Sequence, residues 1–500
     1  MRDRVQTLIR RSIPSGSVVQ RTAKSGIWRF ATKVSGRGLQ LLMLIVLARL
    51  LTPRDFGILG IALLTLSATK RFTDIGLNAA LIQQAADNVD DYLDTTWVLE
   101  IARGVLIGAA LFAAAPLIAG FFGEPDATLP IQVIALAPLL YGLRNPGVVY
   151  FHKDLAFHRD FLYRSGGSTA QFVVGVGYAL VSPTVWALVF AFLARDAVQC
   201  LLSFFLHPYR PWPAFDLGQA IELIHYGKWI TGSSIVAFLY SEGDDAFVGW
   251  YLSATALGFY QYAYRIADAP STEVSEVIAQ VMFPAFSKLQ DDATALTAAF
   301  LQTTRFISFA VFPLSFGLVA IAPTFVPVIL GPDWNPMIPV LQLLAIYGLL
   351  HAATRTYGSL WKAINRPDLM VKLPVIGVCC IALTIWPATA RWGIVGTGLS
   401  VVGVSLLIVF PINVYVTARL LGISPLLIFK EYIYPLIASI VMLIVLLTGA
   451  HLVAIPPVVE WVVMIPVGAV VYFGTAYLLE RQFDWGIEEN IRTVVKGVAG

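Results

Sequence analysis

Charged residues are scarce in this chain of 500 residues: 13% are Asp, Glu, Lys or Arg, whereas 57% are apolar or aromatic. The charged fraction is about half that of a typical soluble globular protein, which excludes a disordered chain and argues against a soluble enzyme. At roughly 20 to 22 residues per membrane span, the apolar residues are enough for about 12 to 14 helices. The composition therefore predicts an all-α polytopic membrane protein with short loops.

Cysteines and catalytic motifs are also lacking. The only cysteines, Cys200, Cys379 and Cys380, lie in apolar runs, so they provide neither a disulfide framework nor a thiolate zinc site. The sequence has no GxxxxGK[ST], HExxH or GxSxG motif. We therefore expect no enzyme activity, cofactor or metal site, and we expect any active transport to use an ion gradient or the membrane potential.

Fourteen apolar segments, bounded by charged or Pro/Gly-rich turns, are predicted to span a membrane. Six form a first set (26–49, 56–74, 93–122, 129–149, 161–181 and 184–206), six form a second set (229–250, 257–285, 298–321, 336–358, 370–388 and 394–418), and two follow at 432–452 and 457–479. With a cytoplasmic N-terminus, the outer turns contain only Arg54 and Arg391, and the other basic loop residues lie inside. The positive-inside rule thus predicts a multi-pass protein of the cell (inner) membrane with both termini cytoplasmic.

An internal repeat relates the two sets of six segments. The sequence LTPRDFG at 51–57 is followed 201 residues later by LSATALG at 252–258, and shorter matches (Ala115-Pro116 with Ala322-Pro323, Tyr141-Gly142 with Tyr347-Gly348) lie at nearly the same offset. Because an even number of spans separates the copies, we expect two pseudo-symmetric six-helix lobes around a central cavity. The predicted order is a cytoplasmic segment (1–25), the first lobe (26–206), a cytoplasmic loop (207–228), the second lobe (229–418), two additional transmembrane helices (432–479) and a cytoplasmic tail (480–500).

Basic residues predominate within the predicted spans of the first lobe. Ionisable residues in spans usually face a cavity or a partner, because exposing them to lipid is costly. Arg29, Lys33 and Arg37 are four residues apart and therefore lie on one helix face over about 12 Å. This basic ladder suits an anionic cargo such as a pyrophosphate, although the same side chains can instead snorkel to the inner headgroups. Further candidates for binding a pyrophosphate are Arg103, Arg195 and Arg265.

Acidic residues predominate within the spans of the second lobe. Glu242, Asp244 and Asp245 lie within four residues and have no cation nearby in sequence. Together with Asp268, they are candidates either for binding a coupling H⁺ or Na⁺ or for pairing with the basic first lobe in a closed state. Helical spacing also predicts local ion pairs of Lys70 and Arg71 with Asp74, of Glu100 with Arg103, and of Arg265 with Asp268.

Several motifs resemble a known family. LARLLTPRDFG at 47–57, FTDIGL at 72–77 and ALIQ at 80–83, with Asp245, GFY at 258–260 and FPAFSKLQ at 283–290, resemble the polysaccharide-transporter (Wzx-like oligosaccharide flippase) family of the multidrug/oligosaccharidyl-lipid/polysaccharide (MOP) exporter superfamily. The resemblance implies a transporter that moves a polyprenyl-pyrophosphate-linked oligosaccharide to the outer leaflet by alternating access, for exopolysaccharide, capsule or lipopolysaccharide synthesis. Glu242 and Asp244 depart from the family pattern, which has the Asp at position 245.

Two other functions compete with this interpretation. A drug or cation antiporter of the same superfamily would favour an acidic cavity, which the basic first helix argues against. A membrane enzyme of polysaccharide assembly would need a catalytic constellation at one surface, and the sequence shows none. The expected partners are the lipid-linked oligosaccharide, membrane lipids, H⁺ or Na⁺, and a polysaccharide polymerase with glycosyltransferases. We expect no nucleic-acid partner, because the basic and aromatic loop at 151–164 is typical of an interfacial helix.

Overall fold

The computed structural model describes residues 18–73, 89–154, 156–452, 456–483 and 485, which are almost entirely helical and contain no strand. The helices are, in chain order, α1 (Val18–Leu50), α2 (Pro53–Phe72), α3 (Val89–Phe121), α4 (Thr128–Ile134), α5 (Ala137–Gly142), α6 (Tyr150–Lys153), α7 (Phe157–Val181), α8 (Val185–Leu206), α9 (Leu217–Tyr251), α10 (Ala254–Lys288), α11 (Ala293–Ile329), α12 (Ile338–Ala363), α13 (Leu369–Val404), α14 (Phe410–Leu421), α15 (Pro425–Leu452) and α16 (Pro457–Phe483). Asp74 with its predicted pairs, the motif at 80–83 and most of the predicted tail lie outside the described residues.

The predicted all-α membrane architecture is confirmed. Among the described residues, eight helical stretches are long and apolar enough to cross a membrane, including Tyr92–Phe121 and Pro425–Ala450. Large apolar side chains such as Leu117 and Phe205 are about four-fifths exposed on the protein surface, at 77% and 82%, as expected for helices whose outer faces contact lipid. The count of fourteen spans stays a prediction, although helices are found at each of the fourteen predicted segments.

The fourth predicted span, 129–149, is not a single helix. It divides into α4, α5 and a 3-10 turn at Pro146–Val149. Pro138 cannot donate a backbone hydrogen bond to Ile134, and Asn145, which precedes Pro146, is in the extended conformation that proline favours in its predecessor. The prolines therefore interrupt a segment that hydropathy alone presents as continuous.

The turn predicted between the eleventh and twelfth spans is present inside α13. Gly393 has a positive φ of 57°, which favours glycine. On either side of it, Thr389 Oγ1 lies 2.8 Å from Thr397 Oγ1, and Thr384 Oγ1 lies 2.5 Å from Ser400 Oγ. Residues 16 positions apart would be about 24 Å apart in a straight helix, so the chain reverses direction at Gly393.

The chain forms two compact units. Unit 1 contains Met1–Phe238 and Gly249–Gly258, and unit 2 contains Leu239–Val248 and Phe259–Gly500. In unit 1, α7 packs on α1 and α8, while α3 packs on α4 and α5. In unit 2, α11 packs against α12, α15 and α16, and buried aromatic side chains such as Phe300 and Tyr357 fill its core.

The repeated turn motifs meet in unit 1. A Cβ atom at Gly57 would lie 1.7 Å from the carbonyl oxygen of Ala254, and one at Gly258 would lie 2.1 Å from that of Pro53. The first turns of α2 and α10 thus contact each other reciprocally through backbone, and only glycine leaves room for this approach. This contact gives a structural reason for the glycine at the end of both repeated motifs.

Candidate functional site

Basic side chains from two parts of unit 1 meet at Tyr141 on α5. The ammonium nitrogen of Lys70, in the last turn of α2, lies 5.4 Å from the centre of the Tyr141 ring. The guanidinium carbon of Arg144, just after α5, lies 4.7 Å from the same ring centre. An aromatic ring face attracts cations, so Tyr141 holds two positive charges close together.

Two ion pairs hold the arginines of this group. Arg144 Nη2 donates to Asp196 Oδ1 on α8 at 2.8 Å. Arg103 Nη1 donates to Glu100 Oε2 at 3.4 Å, which confirms the predicted pair on α3. Arg103 Nη2 also donates to the carbonyl oxygen of Lys70 at 2.9 Å and so ties α3 to the end of α2.

Neither arginine has all its donors satisfied. The Nε atoms of Arg103 and Arg144 are buried and have no hydrogen-bond acceptor among the residues that the structure describes. Leaving a buried charged donor unsatisfied is costly, and such groups are usually explained by a ligand, an ion or water. Both guanidinium groups can therefore donate further hydrogen bonds to a bound anion.

Two cavities adjoin at this cationic group and share Glu100 and Tyr141 in their walls. The smaller has a volume of about 260 Å³ and is lined by Lys70, Arg71 and Arg103. The larger has a volume of about 480 Å³ and is lined by Arg144, Arg164 and Arg195, with Asp160, Trp97, Tyr163 and Gln199. Cations outnumber carboxylates three to one in the wall of the smaller cavity, which therefore favours an anionic ligand, and three to two in the wall of the larger cavity.

Glycines bring the walls of these cavities together. A Cβ atom at Gly104 of α3 would lie 2.5 Å from the carbonyl oxygen of Pro138, and one at Gly142 would lie 2.4 Å from that of Glu100. The backbones of α3 and α5 are therefore in direct contact. This contact holds Tyr141 beside Glu100 and Arg103.

The predicted basic ladder lies on the continuous helix α1. Arg29 is exposed and lies over the Phe157 ring at 4.8 Å from the ring centre, Lys33 is half-buried, and Arg37 is exposed and donates to Gln40 Oε1 at 3.3 Å. These three residues are not among those that line the two cavities. Arg103 and Arg195 do line them, whereas Lys70 and Arg144 were not singled out as ligands by their sequence pattern.

The acidic candidates of unit 2 lie on α9. Asp244 is buried and accepts a hydrogen bond from the Tyr260 hydroxyl at 2.7 Å. Asp245 accepts one from Gln261 Nε2 at 3.1 Å, while its other oxygen is buried without a partner among the described residues. Glu242 is half-buried on the same helix. Hydrogen-bond donors from α10 thus hold two of the three carboxylates.

The predicted ion pair between Arg265 and Asp268 is wrong. Arg265 is exposed and lies 5.8 Å from the centre of the Tyr262 ring. Asp268 points to α12 instead, where its Oδ1 lies 3.0 Å from His351 Nδ1. Arg265 and Asp268 are three residues apart on α10, as an ion pair within a helix requires. Packing against α12 nevertheless turned Asp268 towards His351, which no sequence pattern indicated.

Unit 2 also contains a large apolar cavity of about 750 Å³. Its lining comes from α11, α15 and α16 with Pro270 of α10, and includes Phe306, Phe309, Leu314, Met442, Ile465 and Phe473. Helices α15 and α16 are the two that lie outside the sequence repeat. Both helices contribute mainly apolar side chains to the wall of this cavity.

Comparison with known proteins gives a consistent result. The sequence model of the family described as "Polysaccharide biosynthesis protein" matches residues 46–339, more than half of the chain. The chain is 29% identical over 361 residues to the lipopolysaccharide biosynthesis protein WzxC of Escherichia coli K12, covering 72% of this chain and 73% of WzxC. It is 23% identical over 488 residues to the probable low-salt glycan biosynthesis flippase Agl15 of Haloferax volcanii, covering 94% of this chain and 99% of Agl15.

A solved structure with a similar fold is that of the lipid II flippase MurJ in an inward closed conformation. The TM-score is 0.73, with 14% sequence identity, and the match covers 91% of this chain and 99% of MurJ. At this level of identity the likeness concerns the fold. It agrees with the all-α membrane architecture described above.

Proposed function

The chain belongs to the polysaccharide biosynthesis protein family, and we propose that it is a flippase that moves a polyprenyl-pyrophosphate-linked oligosaccharide from the cytoplasmic to the outer leaflet by alternating access. The names of its relatives support this proposal, since WzxC is a lipopolysaccharide biosynthesis protein and Agl15 a probable glycan biosynthesis flippase. The exported oligosaccharide would serve the synthesis of a surface polysaccharide.

The cationic group around Tyr141 is the observation that carries the proposal. Half-buried arginines with unsatisfied donors, in a protein of membrane-spanning helices, can receive an anionic ligand. A pyrophosphate supplies several acceptor oxygens and more than one negative charge, which suits guanidinium groups. We assign the pyrophosphate to the smaller cavity, next to Lys70, Arg71 and Arg103.

The larger cavity suits the sugar that is bonded to the pyrophosphate. It adjoins the smaller cavity and presents aromatic rings from Trp97 and Tyr163 and an amide from Gln199. Such groups stack on sugar faces and hydrogen bond to hydroxyl groups. An entry path for the anionic headgroup would be formed on α1 by Arg29, Lys33 and Arg37. Arg265 remains a further candidate for contacting the pyrophosphate.

The apolar cavity of unit 2 suits the polyprenyl carrier. Aromatic and aliphatic side chains line it, and its volume of about 750 Å³ accepts several isoprene units. Burying each CH₂ group of the carrier is worth about 0.8 kcal/mol. Headgroup and carrier would thus be bound by chemically different parts of the chain.

The carboxylates of α9 supply the coupling function in this proposal. Asp244 and Asp245, with Glu242 nearby, would bind H⁺ or Na⁺, and in the other arrangement left open by the sequence they would pair with basic residues of the first lobe. We also propose that the protein lies in the cell (inner) membrane with both termini in the cytoplasm. A polymerase and glycosyltransferases would be its functional partners.

The proposal is tested by mass spectrometry of polyprenyl-pyrophosphate lipids from a deletion strain complemented with variants. With Arg103→Ala we expect the complete oligosaccharide-lipid to accumulate and surface polysaccharide to fall about tenfold or more, since a lost charge-assisted hydrogen bond costs about 1.5–3 kcal/mol. Arg103→Lys should retain part of the export, and Arg37→Ala tests the ladder on α1 in the same assay.

Arg391→Ala is the matched control, because Arg391 is exposed close to the turn at Gly393. Protein levels are compared by immunoblot. Accumulation of incomplete lipid-linked sugars in the deletion strain would contradict a flippase and favour an enzyme. Sensitivity to cationic drugs without any lipid accumulation would favour the antiporter.

A further inference from the structure

A polar ladder with two rungs joins α10 to α12 in unit 2. In the first rung, Asp268 Oδ1 lies 3.0 Å from His351 Nδ1. In the second, Arg355 Nη2 donates to Thr272 Oγ1 at 3.2 Å. The Thr272 hydroxyl in turn donates to Asp268 Oδ2 at 2.5 Å and so connects the rungs.

The geometry of both helices produces this ladder. Asp268 and Thr272 are one helical turn apart on α10, and His351 and Arg355 are one turn apart on α12, so each pair lies on one helix face. The backbones approach closely one turn earlier, where a Cβ atom at Gly348 would lie 2.9 Å from the carbonyl oxygen of Ala267.

The ladder spans the site of a proline in α10. Pro270 lies between Asp268 and Thr272 and cannot donate a hydrogen bond to the preceding turn. A helix is easily bent where this bond is missing. The two rungs therefore fasten α12 to α10 on both sides of the point at which α10 can bend.

The surroundings of His351 can accommodate a positive charge. The His351 side chain is 26% exposed and that of Asp268 is 21% exposed, so neither side chain is fully enclosed by the protein. The imidazole ring stacks on Tyr347, with 5.7 Å between ring centres, and an aromatic face stabilises a cation. Imidazole is also the side chain whose charge ordinarily changes near neutral pH.

Other polar groups around His351 come from three helices. Besides Asp268 and Thr272, α10 contributes Tyr264, which hydrogen bonds to Tyr347. Helix α12 contributes Arg355 through Thr272, and α9 contributes Tyr240, which also bonds to Tyr347. With Asp268 ionised and Arg355 charged, a neutral His351 leaves the ladder without net charge, and a proton makes it positive.

We propose that His351 is a proton-binding residue of unit 2, and that its charge sets how firmly α12 holds α10 beside Pro270. A proton from water makes both ring nitrogens donors, and Nδ1–H then gives Asp268 a charge-assisted hydrogen bond, roughly twice as strong as a neutral one. Loss of that proton weakens the Asp268–His351 hydrogen bond, and α10 can then bend at Pro270. The inference rests on the proposed function only in giving this motion a use, the coupling of transport to a proton gradient.

The test measures a distance across the ladder at two pH values. Cys200, Cys379 and Cys380 are replaced by Ser, and spin labels are attached at Val277→Cys on α10 and Lys362→Cys on α12, both of which are exposed. Pulsed electron paramagnetic resonance then gives the distance between labels in the full chain in lipid nanodiscs at about pH 5.5 and about pH 8.5, on either side of the ordinary histidine pKa. We expect the distance to change by about 2 Å.

His351→Gln keeps a hydrogen-bonding side chain but does not titrate, so it should abolish the change. Asp268→Asn should abolish it as well, and it provides the test if His351→Gln does not fold. His158→Gln, which removes a half-buried histidine of unit 1, is the matched control and should keep the change. A change that persists in both ladder variants, or no change in the labelled parent protein, overturns the inference.

The outcome is separate from that of the flippase test. The distance measurement needs no cargo, and the lipid accumulation assay needs no change of pH. A distance that is independent of His351 would leave the proposed function standing. A deletion strain without accumulated oligosaccharide-lipid would refute the proposed function and leave the proton-dependent contact in place.

Discussion

Asp368 shows how immediate neighbours set the charge of one residue. Its carboxylate accepts hydrogen bonds from Arg366 Nε at 3.0 Å and Lys372 Nζ at 2.9 Å, in the exposed turn before α13. First Arg366 and then Lys372 hold the pKa of Asp368 below its ordinary value. Because the folded chain then binds this proton less readily than the unfolded chain does, the carboxylate stabilises the fold above the ordinary pKa of about 3.9. That contribution is lost as the pH falls through the lowered pKa.

Asp368→Asn is therefore expected to lower the unfolding temperature slightly at neutral pH. The difference from the parent protein should shrink as the pH falls below about 4. Thermal unfolding followed by tryptophan fluorescence in detergent checks this expectation. Asp291→Asn, at another exposed carboxylate, serves as the control. An Asp368→Asn protein as stable as the parent at every pH would show that these contacts are not kept in solution.

Sequence reasoning about single residues succeeded where both members of a pair turn to each other on the same helix. The Glu100–Arg103 pair followed from spacing on α3 and is present. The same spacing failed for Arg265 and Asp268, because His351 from another helix competes for the carboxylate. Spacing says which residues share a helix face, but it does not say which neighbouring helix that face meets.

The contact between the first turns of α2 and α10 can be tested at the scale of the element. Gly57→Ala would place a methyl group 1.7 Å from the Ala254 carbonyl oxygen, so the helices must move apart. We expect a loss of stability of about 1–3 kcal/mol or more, seen as a lower unfolding temperature or as a reduced yield of monodisperse protein.

Gly120→Ala is the matched control for this substitution. Gly120 also lies in a helix, but a Cβ atom there would have nothing within 4 Å. Since alanine favours a helix over glycine by about 1 kcal/mol, the control should be neutral or slightly stabilising. If Gly57→Ala behaved like Gly120→Ala, the close backbone contact would be refuted.

At the scale of the whole molecule, Arg305 and Glu431 attach the last two helices, α15 and α16, to α11. Arg305 of α11 donates to both Glu431 oxygens on α15, at 2.7 and 3.0 Å. Trp485, after α16, donates to the same carboxylate at 3.0 Å. The pair is largely shielded from solvent, and together with Trp485 it joins α15 and the segment after α16 to α11.

Glu431→Gln should destabilise the protein by about 3–5 kcal/mol, because it leaves the Arg305 charge without its counter-ion in a shielded position. Replacing both residues with methionine should recover much of this loss, since no unpaired charge is then left. Chemical unfolding in detergent, monitored by fluorescence, measures both variants. A double variant that is less stable than Glu431→Gln would contradict this assignment and indicate a packing role for the two side chains.

The sequence by itself determined the class of the protein, the approximate position of most long helices and the repeated glycine turns. Hydropathy and glycine act locally, so their effects can be read along the chain. Only the tertiary structure decided which charges share a site. Arg144 meets Asp196 from 52 positions away, and Arg305 meets Glu431 from 126. Such partners are selected by helix packing, which depends on the shapes of all the surfaces in contact and leaves no local pattern in the sequence.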